Sequence, residues 1–318
     1  MKKALKIILP LILGGFLVWY SLSGMSEEET EKMIGYRKTA NYQWVSLGLF
    51  IGALSHLSRA YRWKFMLEPL GYKPRYGNSI MAVFIAYLVN LAIPRAGEVS
   101  RALVMTNYEK VPFEKGFGTI VAERIADLLM MFIVIGITLF LQFDFILKLV
   151  LEKFNPIKIS ILLLLIAAFF FVFSRYVKKS KSGLGLKVKT FFSGLIEGVT
   201  SIFKMKNKWA FIFHTVFIWV MYLVMFWATI PALENFSVPI GAVLIGFIAG
   251  GFAMAATNGG LGAYPIAITA AFTLFGVLEE SAKAFGWIMW TAQTAMIVVL
   301  GGLSFLILPL YNKKNTTN

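Results

Sequence analysis

Apolar residues in this chain run in unbroken blocks rather than in alternation, and two of those blocks are broken in the middle. Continuous blocks argue for helices and against a membrane β-barrel, whose strands alternate. Six of them, at 4–22, 42–65, 118–141, 159–173, 209–230 and 285–308, reach or approach the roughly 20 residues that carry a helix across a bilayer. Two more, at 79–106 and 240–275, are interrupted at PRAGE (94–98) and NGGLG (258–262). Broken backbone is not tolerated facing lipid, so such breaks belong inside protein or beside a wet cavity.

Composition supports this reading. Of the 318 residues, 58% are hydrophobic and the mean hydropathy is +0.73. The expected fold class is all-α: a polytopic helical membrane protein with about six full spans and two broken, re-entrant hairpins. The first block could be read as a signal peptide, because Lys2, Lys3 and Lys6 precede its apolar core. Its length and the lack of an Ala-x-Ala end favour an anchor.

Several functions are disfavoured at once. Cysteine is absent and histidine occurs twice, which leaves no material for disulfides or Cys/His metal sites. There is no GxxxxGK[ST] loop to cradle nucleotide phosphates. No nucleophile–base pair stands out, and His56 and His214 both fall on apolar helices. Neither a cofactor nor enzymatic activity is expected.

The net charge of +15 reads as topology rather than as a nucleic-acid footprint. With the N-terminus inside, 23 of the 31 Lys and Arg fall on cytoplasmic segments, which places both termini in the cytoplasm of a bacterial-type inner membrane. The segment 178–208 is basic and amphipathic, suited to lying on an anionic leaflet or to serving as a solvated connector.

An internal repeat organises the chain. Segment 82–104 resembles 242–268, each an apolar helix with small residues, a break and a resumption. The chain then reads as one membrane domain: an N-terminal span and outer loop (1–41), a first repeat (42–141), a connecting span with the basic segment (142–208), a second repeat (209–308) and a tail (309–318). An odd number of crossings separates the starts of the repeats, so they are inverted. Inverted repeats with paired broken helices are a transporter signature.

The chemistry-bearing residues cluster at the breaks and on two neighbouring helices. Arg95, Glu98 and Arg101 recur at spacings of three and share a face if helical. Charge at membrane depth faces a cavity or a partner, and Arg grips phosphate bidentately. The alternative is an Arg–Glu pair locking the hairpin. Glu123, Arg124 and Asp127 lie on one side of the next helix, either as a structural network or as partners for an amino headgroup. His56, Arg59 and Arg62 are headgroup or interface contacts, the two arginines snorkelling to the inner surface. Asn258, Gly259, Gly260 and Gly262 offer backbone amides for an anion, or simply a tight turn.

The set RAYRW (59–63), NLAIPRAGEVSRA (90–102), AERIADLL (122–129) and NGGLGAYP (258–265) resembles the transmembrane, flippase region of lysylphosphatidylglycerol synthetases and its stand-alone relatives. The resemblance covers nearly the whole chain. It implies handling of an anionic or aminoacylated phospholipid, with functional weight on Arg95, Glu98, Arg101, Glu123, Arg124 and Asp127. The family's third motif usually reads PGGLGxxE; here Asn258 replaces the Pro and Pro265 stands where the Glu would be. The synthetases carry an aminoacyltransferase domain after this region, whereas the sequence ends at Asn318, so the resemblance implies translocation rather than synthesis. A partner synthase or glycosyltransferase and a homo-oligomer are further expectations. An accessory subunit of envelope-lipid or glycolipid synthesis is the alternative to a translocase.

Overall fold

The computed structural model describes residues 12, 14–21, 23, 25–153, 155–179 and 202–313, with isolated positions between 185 and 200. Among them the chain is helical with no strand. Of the expected first span (4–22), residues 12 and 14–21 are described and are helical; its other residues and most of the basic segment 178–208 lie outside the described residues. The chain divides into two compact units, one built from 1–123 and 206–318, the other from 124–205.

The first unit opens with α1 (Glu27–Thr39). A capping box starts it: Glu29 N donates to the Ser26 hydroxyl (3.2 Å) and Ser26 N donates to the Glu29 carboxylate (2.7 Å). Hydrogen bonding from Ser26, the backbone N–H first, holds the exposed Glu29 carboxyl below its ordinary range. Next come α2 (Tyr42–Leu67), α3 (Tyr76–Ala92), α4 (Ala96–Glu109) and the start of α5 (Phe113–Leu141). The later half of the unit is α8 (Lys208–Ala228), α9 (Ile240–Ala256), α10 (Ala263–Thr273) and α11 (Glu279–Asn312). The second unit holds the rest of α5, then α6 (Phe143–Lys153) and α7 (Pro156–Lys179).

The order of elements recurs. α2 and α8 each lead into a three-residue 3-10 turn with Pro at its centre, Glu68–Leu70 and Ile230–Ala232. α3 and α9 then have the same length, 17 residues, and each ends at one of the two sequence breaks. A shorter helix and a long one follow in both cases.

Small residues decide how closely these helices approach. In lipid, burying apolar surface barely favours helix contact over lipid contact, so close packing and polar bonds must hold the helices. A Cβ added at Gly301 of α11 would sit 2.7 Å from Leu88 Cβ and 2.9 Å from Phe84 O on α3. One at Gly286 would sit 2.8 Å from Pro265 Cα on α10. Aromatic rings fill the space beyond: Phe285 of α11 meets Phe226 of α8 edge-on at 5.4 Å and stacks on Phe272 of α10 at 5.5 Å.

By length and composition, three described helices are long and apolar enough to cross a membrane: α5, α8 with the turn after it, and α11. α2 has the length, at 26 residues, but carries Arg59, Arg62 and Lys64 in its second half. α3, α9 and α10 are apolar and short, as half-helices must be.

The first hairpin gives a stability test. A Cβ at Gly97 would overlap the Ala86 carbonyl, which is backbone and cannot swing away. Gly97→Ala is expected to cost about 1–3 kcal/mol, read as a lowered melting midpoint. Gly136→Ala on α5, which meets nothing within 4 Å, should leave the midpoint unchanged or slightly raised.

Candidate functional site

Three arginines converge on one carboxylate. Arg59 and Arg62 stand three residues apart on α2, with Trp63 next to Arg62, so all three point into the same side of the unit. Glu123 of α5 accepts from Arg59 at 2.7 Å, from Arg62 at 3.1 Å and from Arg101 of α4 at 3.0 Å. Arg62 and Glu123 have no exposed surface, and Arg59 and Arg101 keep 3% each. A carboxylate is stable in such a place only with paired charge and filled lone pairs.

The ring around this knot is aromatic and hydroxylic. Arg101 lies 3.9 Å above the Trp63 ring, and Arg62 faces the Phe211 ring at 5.2 Å. Trp63 Nε1 donates to Thr119 at 2.8 Å, and Arg62 donates to Thr215 of α8 at 2.8 Å. Arg59 also donates to the Tyr222 hydroxyl at 3.3 Å. The knot therefore joins α2, α4 and α5 to α8.

Arg59 and Arg62 thus do not snorkel to an interface. Their stems are too deep in the helix packing, and a carboxylate from another helix meets them there. His56 is buried beside the rings of Phe84, Tyr87 and Tyr222, and its Nδ1 has no hydrogen-bond partner. It packs behind the knot and does not reach a surface.

The first break sends its charges apart. Pro94 cannot continue α3's hydrogen bonding, and Arg95 adopts a left-handed backbone (φ 61°) that turns the chain into α4. That conformation costs a non-glycine residue of order 1 kcal/mol. The Asn90 side chain closes the turn by accepting from Gly97 N at 2.7 Å, and its amide approaches Glu98 at 3.4 Å. Arg95 is exposed and makes no hydrogen bond or ion pair with the described residues. Arg95 and Arg101 therefore do not share a face: one marks the hairpin tip and the other the knot.

Glu123 faces the three arginines, whereas Arg124 and Asp127, in the second unit, approach each other at 3.7 Å.

The second break is neutral and pinned by its backbone. Gly259, Gly260 and Gly262 all have positive φ, and Trp290 Nε1 of α11 donates to the Gly259 carbonyl at 2.8 Å. Asn258 is buried, and its side-chain nitrogen has no partner. The two tips meet: a Cβ on Gly259 would collide with Leu91 in the last turn of α3.

Two groups went unnoticed in the sequence. Ser58 Oγ and His214 Nδ1 are 2.8 Å apart, but among the described residues no carboxylate is bonded to the ring to orient it as a base. At the far end of α3, Asn78 and Asn312 exchange amide bonds at 3.0 and 2.9 Å, with Glu109 bridging to Arg75 at 3.0 Å. No group of three or more potential metal ligands occurs among the described residues.

An all-α fold with paired broken helices and ionised groups buried among apolar helices defines a helical membrane protein. The family model for the lysylphosphatidylglycerol synthase TM region matches residues 7–302, and the chain belongs to that family. It is 29% identical over 100 residues to UPF0104 membrane protein MJ1595 of Methanocaldococcus jannaschii, which covers 30% of each chain. It is 35% identical over 86 residues to Glycosyltransferase AglD of Haloferax volcanii, covering 27% of this chain and 14% of that one. The matches thus span less than a third of either relative's length. No solved structure matches.

The knot predicts an asymmetry in stability. Glu123→Gln leaves three buried guanidiniums without their shared charge and should destabilise by about 3–5 kcal/mol. Arg95→Ala, at an exposed tip, should stay within about 0.5 kcal/mol. Thermal unfolding of the purified chain in detergent compares the two.

Proposed function

We propose that this chain is a lipid translocase that moves an anionic phospholipid, aminoacylated or plain, or a related lipid-linked substrate between leaflets. The observation that carries this reading is the meeting of the two broken hairpins at Leu91 and Gly259. Paired half-helices that meet in the protein interior supply turned backbone and helix ends where a polar group must pass. The matching element order before and after α6 and α7 supports two inverted halves around that point.

In this reading the tails stay in the bilayer and the headgroup passes the hairpin tips. Arg95 is free to meet a phosphate, with Glu98 beside it, while Asn258 and the glycine amides line the neutral side. Arg59, Arg62, Arg101 and Glu123 hold the helices in register behind the tip. The sequence has no nucleotide-binding loop, so movement is downhill, ion-coupled or driven by a partner. Both termini face the cytoplasm of the cell membrane.

A second reading is an accessory subunit for a glycosyltransferase or lipid synthase. The relative named as a glycosyltransferase favours it. In that case the basic segment 178–208 docks the enzyme, and reversing its charges impairs function more than Arg95→Ala does.

The test is reconstitution into liposomes with fluorescent phosphatidylglycerol, lysyl-phosphatidylglycerol or phosphatidylcholine, for the wild type and Arg95→Ala. The translocase reading predicts flipping that favours the anionic or aminoacylated headgroup and falls about tenfold or more in the variant, the loss of one charge-assisted phosphate contact. No flipping of any lipid by folded protein would overturn it in favour of the accessory role.

A further inference from the structure

An open groove of about 590 Å³ runs between α2 and α11, away from the knot and the hairpin tips. α2 and α11 run the same way there, because both begin beside α1, where Lys32 approaches Glu280 at 3.9 Å. The walls are apolar, with Leu49, Phe50, Met296 and Val299 among them, and small side chains such as Ala292 and Ala295 keep the middle hollow.

The groove is not uniform along its length. At one end stand Arg37, Tyr42 and Trp287; beyond them the lining is almost wholly apolar to Ala53 and Leu300. From Tyr42 to Ala53 a helix rises about 17 Å, and from Trp287 to Leu300 about 20 Å. One leaflet's hydrocarbon is about 15 Å deep, half of the ~30 Å core. The apolar part of the groove is thus as long as one acyl chain is deep.

The end with Arg37 has the chemistry of a headgroup. Arg37 and Lys38 close α1, both are exposed, and neither takes part in an ion pair among the described residues. Tyr42 fixes this corner by donating its hydroxyl to the Arg37 carbonyl at 2.9 Å. Trp287 lines the groove at the same end as Arg37 and Tyr42. Trp and Tyr beside basic residues at the end of an apolar stretch mark the membrane interface.

We propose that this groove is a binding site for a single anionic glycerophospholipid. One acyl chain lies between α2 and α11, the ester region lies at Trp287, and the phosphate is held by Arg37 and Lys38. A second copy of the chain fits less well. The cation that lines its mouth, Arg37, makes no ion pair among the described residues, with Lys38 next to it on α1, and calls for an anion rather than an apolar helix face. The proposal concerns occupancy at equilibrium and does not rest on the translocase reading.

The test is photolabelling of the full chain in vesicles containing phosphatidylglycerol or phosphatidylcholine with a diazirine in the acyl chain, and peptide mapping by mass spectrometry. The expected result is labelling within 42–53 and 287–300 that favours phosphatidylglycerol by about fivefold for each basic residue at the mouth. Arg37→Gln with Lys38→Gln should abolish the preference, and Ala295→Phe should block labelling of the groove. Helical content and melting of each variant are checked, and the Arg37/Lys38 pair, being exposed, keeps the test decisive if Ala295→Phe fails to fold. Equal labelling by both lipids, indifferent to Arg37 and Lys38, would reduce the groove to ordinary annular contact and overturn the proposal. So would absence of label from both segments, or chain-to-chain cross-links through this face. Labelling reports binding without movement, so a failed flipping assay leaves it standing, and the converse also holds.

Discussion

Glu123 is the group around which the first half of the large unit is arranged. An ionised carboxylate with no exposed surface is unstable among apolar helices unless opposite charge surrounds it, and here three guanidiniums from α2 and α4 do so. Each donor comes from a fixed point on its helix, so the knot sets helix register as well as contact. Apolar packing alone would not achieve this in a membrane, where a leucine gains little by leaving lipid for protein. Thr215 and the faces of Trp63 and Phe211 add to the coordination of the cations, and Thr119 holds the Trp63 ring through its indole N–H.

The later half is held by different means. It has no comparable charge knot among the described residues; its contacts rest on Gly286 and Gly301, on stacked phenylalanines, and on one indole bond to the Gly259 carbonyl. The two hairpin tips consequently differ in chemistry. One presents an exposed arginine held in a left-handed turn, the other a neutral glycine backbone with a buried asparagine. A substrate headgroup passing between them would meet charge on one side and amides on the other.

Much of the fold was legible because the membrane leaves few choices. Apolar block length gave helices, and Pro94 and the glycines of 258–262 gave the breaks; α3 and α9 end within a few residues of both. The charged residues were harder. Spacing alone put Arg95 and Arg101 on one face, but Pro94 removes Arg95 from the helix and a positive φ turns it outward. Arg59 and Arg62 looked like snorkelling side chains near a helix end, because the carboxylate that buries them is more than sixty positions away in sequence. Thr215, Phe211 and Tyr222 carried no signal at all, since their role follows from α8 lying against α2. The groove between α2 and α11 is likewise a property of packing, visible in no single segment.

The claim on which the functional account depends is that the first hairpin tip lies inside the membrane and yet meets water. The chain has no native cysteine, so a spin label at Arg95→Cys reports from one site. Its relaxation by oxygen and by a water-soluble nickel chelate, measured in lipid vesicles, gives both depth and wetness. The account predicts a label at hydrocarbon depth that the chelate still reaches, unlike one at Ile137→Cys on the exposed apolar face of α5, which oxygen alone should reach. A label at Arg95→Cys found in bulk water or at headgroup level would make the break an ordinary surface loop and contradict the account.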